Sequence, residues 1–147
     1  MEEGGCERID HGFRLMDDAE LTAKIAAERI PLTVCPTSNV VIANVVPDVA
    51  SHPFARQREA GVLAMLNSDD PAMSRVDLGS EYGIVADAFG YDLETMEHLS
   101  LDSIEATFMD DAEKATTSAA FEQEFDALRA EAGLPPRADR AGHPTNG

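Results

Sequence analysis

The feature that most constrains the fold is an apolar run that ends in two carboxylates and a proline, at Val62–Pro71. An apolar run of this length between turn residues is typical of a strand that is buried on both faces of a parallel sheet. Because Pro71 has no backbone N–H, the strand is expected to end before it. Asp69 and Asp70 would then follow the carboxyl end of a buried strand, which is where α/β folds place their chemistry. The structural alternative for both is the capping of a following helix.

Two further strands are predicted earlier in the chain, and each ends in polar residues. Arg8–Gly12 has the pattern of the end of a short strand, and Ile30–Cys35 that of a second one. Pro36–Asn39 is predicted to be a polar loop after the second strand. The carboxyl ends of parallel neighbours lie at the same edge of a sheet, so His11, this loop and Asp69 are expected to converge on one site.

The segments between and after these strands carry capping residues and apolar positions three or four residues apart, as helices do. Helices are predicted from Asp17 or Asp18 to Glu28, over Pro53–Ala60, from Leu78 to Gly90, after Asp92, after Asp102, and after Asp110 or Asp111. The alternation of strands and helices predicts an α/β fold with a parallel sheet. His52 is interpreted as a turn or helix-start residue, and Cys35 as a buried strand residue.

The composition excludes several classes of partner. The chain has 28 acidic and 11 basic residues, a formal net charge of −17. Nucleic acids and anionic membrane surfaces are bound by clustered Lys and Arg, so neither is expected as a partner. No apolar run approaches the length of a membrane span, and the acidic N-terminus does not have the pattern of a secretion signal. Cys6 and Cys35 form no CxxC pair, so reduced thiols in a cytoplasmic protein are expected.

With 147 residues, the chain is one domain or part of one. Residues 1–132 are predicted to form the folded segment. Residues 133–147, rich in proline and glycine with little to bury, are predicted to be a disordered tail.

Histidine and aspartate side chains together can hold a divalent metal and transfer protons. Water bound to zinc has a pKa near ~7, so it can attack as hydroxide near neutral pH. His11, Asp69 and Asp70 provide the outline of such a site, although not a complete one.

Six segments of the chain resemble motifs of the adenosine/adenine deaminase family, in the same order and with the same spacing. They are Arg8–Gly12, Ile30–Asn39, His52-Pro53, Asn67–Pro71, Asp77–Tyr82 and Ser103–Phe108. The resemblance extends over roughly Arg8 to Leu128 and is specific as a set, whereas Ser-Asp-Asp-Pro alone would not be.

The resemblance implies the C-terminal part of a (β/α)₈ barrel, with about its last three strands, parallel, followed by C-terminal helices. It implies zinc-dependent hydrolytic deamination of adenosine to inosine in purine salvage, with Zn²⁺ as the cofactor and a small purine as the partner. By this match, His11 would orient and deprotonate the attacking water. Asp69 would be a metal ligand that also hydrogen-bonds the hydroxide, and Asp70 would bind a purine ring nitrogen.

Two family motifs have no counterpart in the sequence: the His-x-His metal pair of the first strand and the His-Ala-Gly-Glu of the fifth. A whole barrel typically needs ~250 residues. The chain is therefore expected to be a truncated or incomplete sequence, or a half-barrel completed by the missing N-terminal half. Alone, we expect it to be inactive, to hold zinc poorly, and to be molten, oligomeric or unstable.

Three alternatives remain open at this point. The substrate could be adenine, giving hypoxanthine, because Asp10 resembles adenine deaminases while Thr37 and Asp77–Tyr82 resemble adenosine deaminases. The chain could instead be a catalytically dead remnant that binds a purine or a partner, or an unrelated α/β domain. A His-x-His pair encoded upstream of Met1 would favour the enzyme over the remnant.

Overall fold

The computed structural model describes residues 5–137. Within these residues, three strands and seven α-helices follow one another. The strands are β1 (Ile9–Asp10), β2 (Leu32–Val34) and β3 (Ala64–Leu66). The helices are α1 (Ala19–Ala27), α2 (Pro36–Val41), α3 (Phe54–Glu59), α4 (Pro71–Ser74), α5 (Leu78–Phe89), α6 (Leu93–Glu105) and α7 (Asp111–Glu131), with 3₁₀ turns at Leu15–Asp17 and Val49–Ser51. The chain divides into two units, residues 1–108 and residues 109–147.

The sheet lies in the first unit and has the order β1-β2-β3. Both pairings are parallel, and the register aligns Ile9 with Leu32 and Leu32 with Ala64. This confirms the predicted parallel sheet, and the strands lie side by side in their order along the chain. Because the strands are parallel, their carboxyl ends lie at one edge of the sheet, where the predicted site residues follow them.

One face of the sheet, the helix-covered face, consists of alternate apolar strand residues. Leu32, Val34, Ala64 and Leu66 on this face are at most 3% exposed. They pack in one cluster with side chains from four surrounding helices: Ile25, Phe54, Val85 and Leu99. Burying a large aliphatic side chain contributes about 1.5–3 kcal/mol relative to leaving it exposed, so this face provides most of the stabilisation of the sheet.

The opposite face, the cavity face, carries the intervening residues Asp10, Thr33 and Met65. The hydroxyl of Thr33 donates a hydrogen bond to Oδ1 of Asp10 over 2.6 Å, which links β1 to β2. Met65 packs with Leu63 and Ala106 in a small separate cluster. The two faces therefore differ in polarity as well as in packing.

Aspartates cap most of the long helices, as their positions in the sequence predict. Asp18, Asp77, Asp92 and Asp110 accept hydrogen bonds from backbone N–H groups in the first turns of α1, α5, α6 and α7. At α7 the side chain of Glu113 also bonds the Asp110 backbone, which completes a capping box.

The separate helical turn predicted after Asp102 is wrong, because Asp102 lies inside α6. Its Oδ2 accepts a hydrogen bond over 2.9 Å from Arg58, whose guanidinium also donates to the carbonyl of Ala64. The carboxylate thus forms a largely buried ion pair between α3 and α6 and does not cap a helix.

The polar loop predicted at Pro36–Asn39 is also wrong, since these residues form most of α2 and are buried. Pro36 occupies the first helical turn, where its fixed φ is favourable. Oε1 of Glu81 in α5 accepts the N–H of Thr37 over 2.9 Å. A carboxylate distant in sequence therefore accepts a free backbone N–H in the first turn of this helix. Local sequence patterns could not indicate this contact.

The second unit is described from Met109 to Arg137 and consists of α7 and the residues after it. Phe121 and Phe125 of α7 meet edge-on, with ring centroids 6.0 Å apart. Arg137 bonds Asp126 over 3.0 Å. Most of the predicted disordered tail, residues 138–147, lies outside the described residues, and the division at residue 132 stays a prediction. No helix in the described part of the chain is long and apolar enough to cross a membrane.

Candidate active site

The turn that follows β1 places two consecutive residues in the left-handed region. His11 has φ 64° and Gly12 has φ 59°. A Cβ at position 12 would lie 2.4 Å from Cδ2 of Leu32, so the turn can pass this close to β2 only with glycine there. The N–H of His11 donates to the carbonyl of Thr33 over 2.7 Å and holds the histidine against the end of β2.

The ring of His11 has a buried nitrogen that the protein leaves without a partner. Nδ1 is inaccessible to solvent and makes no hydrogen bond with the described residues. Nearly all buried polar side-chain atoms in proteins are hydrogen-bonded, so such an atom requires an explanation. The buried, unpartnered nitrogen therefore marks His11 as a residue whose position packing and hydrogen bonding within the described residues do not explain.

Asp69 occupies a similarly strained position after β3, with φ 58°. Its Oδ2 accepts a hydrogen bond from the hydroxyl of Ser38 over 2.5 Å. A left-handed φ in a residue other than glycine persists when the surroundings enforce it, and such residues cluster at functional sites. His11 and Asp69 therefore share an unfavourable backbone conformation at the same edge of the sheet.

The side chain of Asp70 is exposed, and its carboxylate bonds the backbone of the residues that follow it. Oδ1 accepts the N–H groups of Ala72 and Met73 over 2.9 and 3.0 Å, so the side chain caps α4. Helix capping is the structural alternative considered for both Asp69 and Asp70, and of this pair it is Asp70 that caps a helix. The proposed contact of Asp70 with a purine nitrogen stays a prediction.

The thiol of Cys35 is buried directly after β2, as expected. Burial and, secondarily, the negative charge of Asp69 raise its pKa from 9.0 to about 12. A thiol with this pKa stays protonated near neutral pH and is a poor nucleophile. Cys35 therefore presents an uncharged side chain beside Asp69.

A cavity of about 470 Å³ opens at this edge of the sheet. Its lining includes Asp10, His11, Thr33, Cys35 and Asp69, together with residues of α5 and α6. The structure thus brings together the two residues predicted to act on the attacking water. Asp70 is not among the lining residues.

The described residues do not complete a metal centre. Within residues 5–137, no group of three or more His, Cys, Asp or Glu side chains could hold a metal ion. A catalytic zinc site typically has three protein ligands and a water. The prediction that Asp69 is a metal ligand therefore stays a prediction, and no reaction step can be derived through a metal held by this part of the chain alone.

The sequence analysis missed the structural importance of His52, which is 2% exposed. One ring nitrogen, Nδ1, accepts the N–H of Phe54 over 3.1 Å, and Nε2 lies 3.0 Å from Oδ1 of Asn39. Burial lowers its pKa from 6.5 to about 4, so the ring is neutral. The one signal in the sequence for such a role was that His52-Pro53 is one of the six segments that resemble family motifs.

A parallel sheet with a histidine and an aspartate at its carboxyl edge, facing a cavity, is typical of barrel hydrolases that activate water. Residues 1–122 match the family model described as adenosine deaminase, and the chain belongs to this family. The family is one of metal-dependent hydrolytic deaminases on a (β/α)₈ barrel, and the coverage fits the C-terminal portion of that fold.

Individual relatives agree with this assignment. An adenine deaminase of Rhizobium meliloti is 43% identical over 104 residues, which are 71% of this chain and 32% of that protein. An aminodeoxyfutalosine deaminase of Streptomyces avermitilis is 42% identical over 114 residues, 78% of this chain and 32% of the relative. The crystal structure of an amidohydrolase from Burkhoderia ambifaria, with bound Zn, superposes with a TM-score of 0.75 at 31% identity. The match covers 85% of this chain and 35% of that protein. The chain spans about a third of the length of the curated relatives it matches.

Proposed function

We propose that this chain is the C-terminal part of a purine deaminase, and that the completed barrel hydrolyses adenine to hypoxanthine. In this reaction water adds to the ring carbon that bears the amino group, and ammonia leaves. The observation that carries the proposal is that His11 and Asp69, each held in a left-handed backbone conformation after a parallel strand, line the same cavity.

His11 acts in this proposal as the group that orients the attacking water and accepts its proton. Its strained backbone and its bond to Thr33 fix the ring position before substrate binds. A base that is already in place avoids reorganisation during the reaction. Asp69, oriented by Ser38, is proposed as a metal ligand. Zn²⁺ is the proposed cofactor of the completed barrel, whose other ligands would come from beyond the described residues.

Adenine is favoured over adenosine by the adenine deaminase relative, because the cavity lining alone does not separate the two: Leu78 and Tyr82 of the adenosine-like segment line it as well as Asp10. Asp10 lines the cavity and is held by the hydroxyl of Thr33. Thr37 is buried in α2, with its N–H bonded to Glu81, and is not among the lining residues. Adenosine, which would give inosine, is the second candidate, and roles in purine salvage and a cytoplasmic location stay predictions.

The test is complementation with the missing part of a barrel. The chain is mixed with a separately expressed N-terminal portion of the Rhizobium meliloti adenine deaminase, and assembly is verified by sedimentation. Ammonia release is then measured with adenine and with adenosine in the presence of Zn²⁺. We expect the assembled protein to deaminate adenine and the chain alone to be inactive.

The other outcomes distinguish the alternatives. Faster turnover of adenosine would show that the choice of adenine is wrong. An assembly that binds adenine in equilibrium dialysis without releasing ammonia would identify a dead remnant. Zinc-dependent turnover by the chain alone would show that the residues of the site have been misassigned.

A further inference from the structure

We propose that Gln57 and His52 are positioning residues that clamp the carboxyl ends of β1 and β2 and thereby hold His11 in its strained conformation. The functional meaning of this clamp rests on the proposed function, since it matters for catalysis if His11 is the proton acceptor. The clamp itself is a property of the fold and can be tested separately.

Gln57 reaches the turn after β1 from α3. Its side chain is fully buried, and Nε2 donates a hydrogen bond over 3.0 Å to the carbonyl of Gly12. The same carbonyl accepts the N–H of Leu15 over 3.0 Å. The Gly12–Phe13 peptide, the second peptide after His11, is therefore held by groups from two different segments of the chain.

The other end of the Gln57 amide shows that packing alone does not account for a glutamine at this position. Its Oε1 is buried and has no hydrogen-bond partner among the described residues. An unpartnered buried acceptor destabilises a fold, and an apolar side chain of the same size would avoid that cost. The contribution that an apolar residue could not make is the hydrogen bond to Gly12.

His52 forms the second part of the clamp. Since Nδ1 accepts the N–H of Phe54, the ring proton is on Nε2, which donates to Oδ1 of Asn39 in α2. The ring also contacts Phe13, the residue after Gly12, with ring centroids 5.5 Å apart in an edge-on arrangement. One imidazole thus contacts the segments that follow both β1 and β2.

The strain at His11 explains why a clamp is required. A left-handed φ is unfavourable for histidine and would relax if the neighbouring turn were free to move. The bond from His11 to Thr33 holds the residue on one side, and Gln57 holds the Gly12–Phe13 peptide on the other. Together they leave the turn few alternative conformations.

The test uses Gln57→Met, which keeps the side-chain length and removes the hydrogen bond. Arg56→Met is the matched control, because Arg56 is exposed on the same helix. Amide hydrogen exchange of this chain is followed by NMR within the completed barrel, in which only this chain carries the isotope label. In Gln57→Met the amides of His11 and Leu15 are expected to exchange at least tenfold faster. The Asn67 amide, which donates to Val34 in the sheet, should keep its rate, as should every amide in the control variant.

Three results would overturn the clamp: unchanged exchange at His11 and Leu15 in Gln57→Met, an equal acceleration at Asn67, or an unprotected His11 amide in the parent chain.

If Gln57→Met fails to fold, His52→Leu replaces it. The expected local effect is then faster exchange of the Val45 amide, which donates to the Asn39 carbonyl, and His52→Gln should restore protection. Unchanged Val45 exchange in His52→Leu would overturn the role of His52.

The catalytic consequence is measured in the completed barrel. We expect Gln57→Met to lower kcat at least tenfold with an unchanged KM for adenine, because the substrate contacts stay while the proton acceptor moves. A change in KM alone would overturn the positioning role. If the completed barrel is inactive, the proposed function fails, and the exchange measurement still decides whether the clamp exists.

Discussion

The two faces of the three-stranded sheet arise from the same short strands but have opposite properties. On the helix-covered face, Leu32 and Val34 are fully buried among apolar side chains. On the cavity face, Thr33 lies between them in sequence and bonds the carboxylate of Asp10. Because side chains alternate along a strand, adjacent residues can serve stability and function independently.

This difference shows how the site tolerates strain. His11 and Asp69, two of the five described non-glycine residues with a left-handed φ, follow strands whose other face is fixed by packing. Strained conformations persist when the surrounding structure over-determines them. The helix-covered face therefore stabilises the conformations that the cavity face uses, and mutations on the two faces should affect different measurable quantities.

The largest effect is expected at Asp69. In the completed barrel, Asp69→Asn should lower kcat for adenine on the order of 10³-fold, because the variant loses a proposed metal ligand and the charge at the reacting water. The unfolding midpoint should change little, since Asn can still accept from Ser38. Asp70→Asn is the control, because Asn also caps helices well, and its effect should be mainly on KM. Near-normal turnover by Asp69→Asn would exclude the ligand role.

A stability effect without a catalytic counterpart is expected on the helix-covered face. Leu32→Ala should reduce the free energy of unfolding by about 2–5 kcal/mol, because it leaves a cavity in a closed cluster. Met65→Ala on the cavity face should cost about half as much, on the order of 1–2 kcal/mol, since Met65 already borders open space. Urea unfolding of both variants checks this, and equal losses would contradict the distinction between the faces.

Acid should destabilise the protein through His52. Its pKa is about 4 in the folded chain and 6.5 as the ordinary value, so the unfolded chain binds a proton that the folded chain rejects between these pH values. Stability is therefore independent of this group above pH 6.5 and falls as pH drops to 4, by up to about 3 kcal/mol. Unfolding measured from pH 7 to 4 should show a shallower decline in His52→Gln than in the parent. Identical declines would show that His52 is not the cause.

The smallest effect is a difference in reactivity between the two thiols. Cys6 is exposed and Cys35 is buried beside Asp69. At pH 8 a maleimide should modify Cys6 rapidly and Cys35 at least a hundredfold more slowly, since little of the Cys35 thiol is ionised. Peptide mass spectrometry after a time course identifies the modified residue. Comparable rates would contradict the burial of the Cys35 thiol and its raised pKa.

The sequence alone determined the parallel sheet, its strand order and most helix starts, because these depend on local signals. Apolar runs mark Leu32–Val34 and Ala64–Leu66, and an aspartate precedes each capped helix. It also placed His11 and Asp69 at strand ends, which parallel pairing then brought to one cavity.

The tertiary structure decided what depends on residues far apart in the chain. The helical state of Pro36–Asn39 depends on Glu81, and the position of the turn after β1 depends on Gln57. The two adjacent aspartates also separated into different environments, Asp69 facing the cavity and Asp70 capping α4. No local pattern encodes the first two outcomes, because Glu81 and Gln57 reach their partners only in the folded chain, whereas the capping of α4 by Asp70 is local and its capping role was open from the sequence.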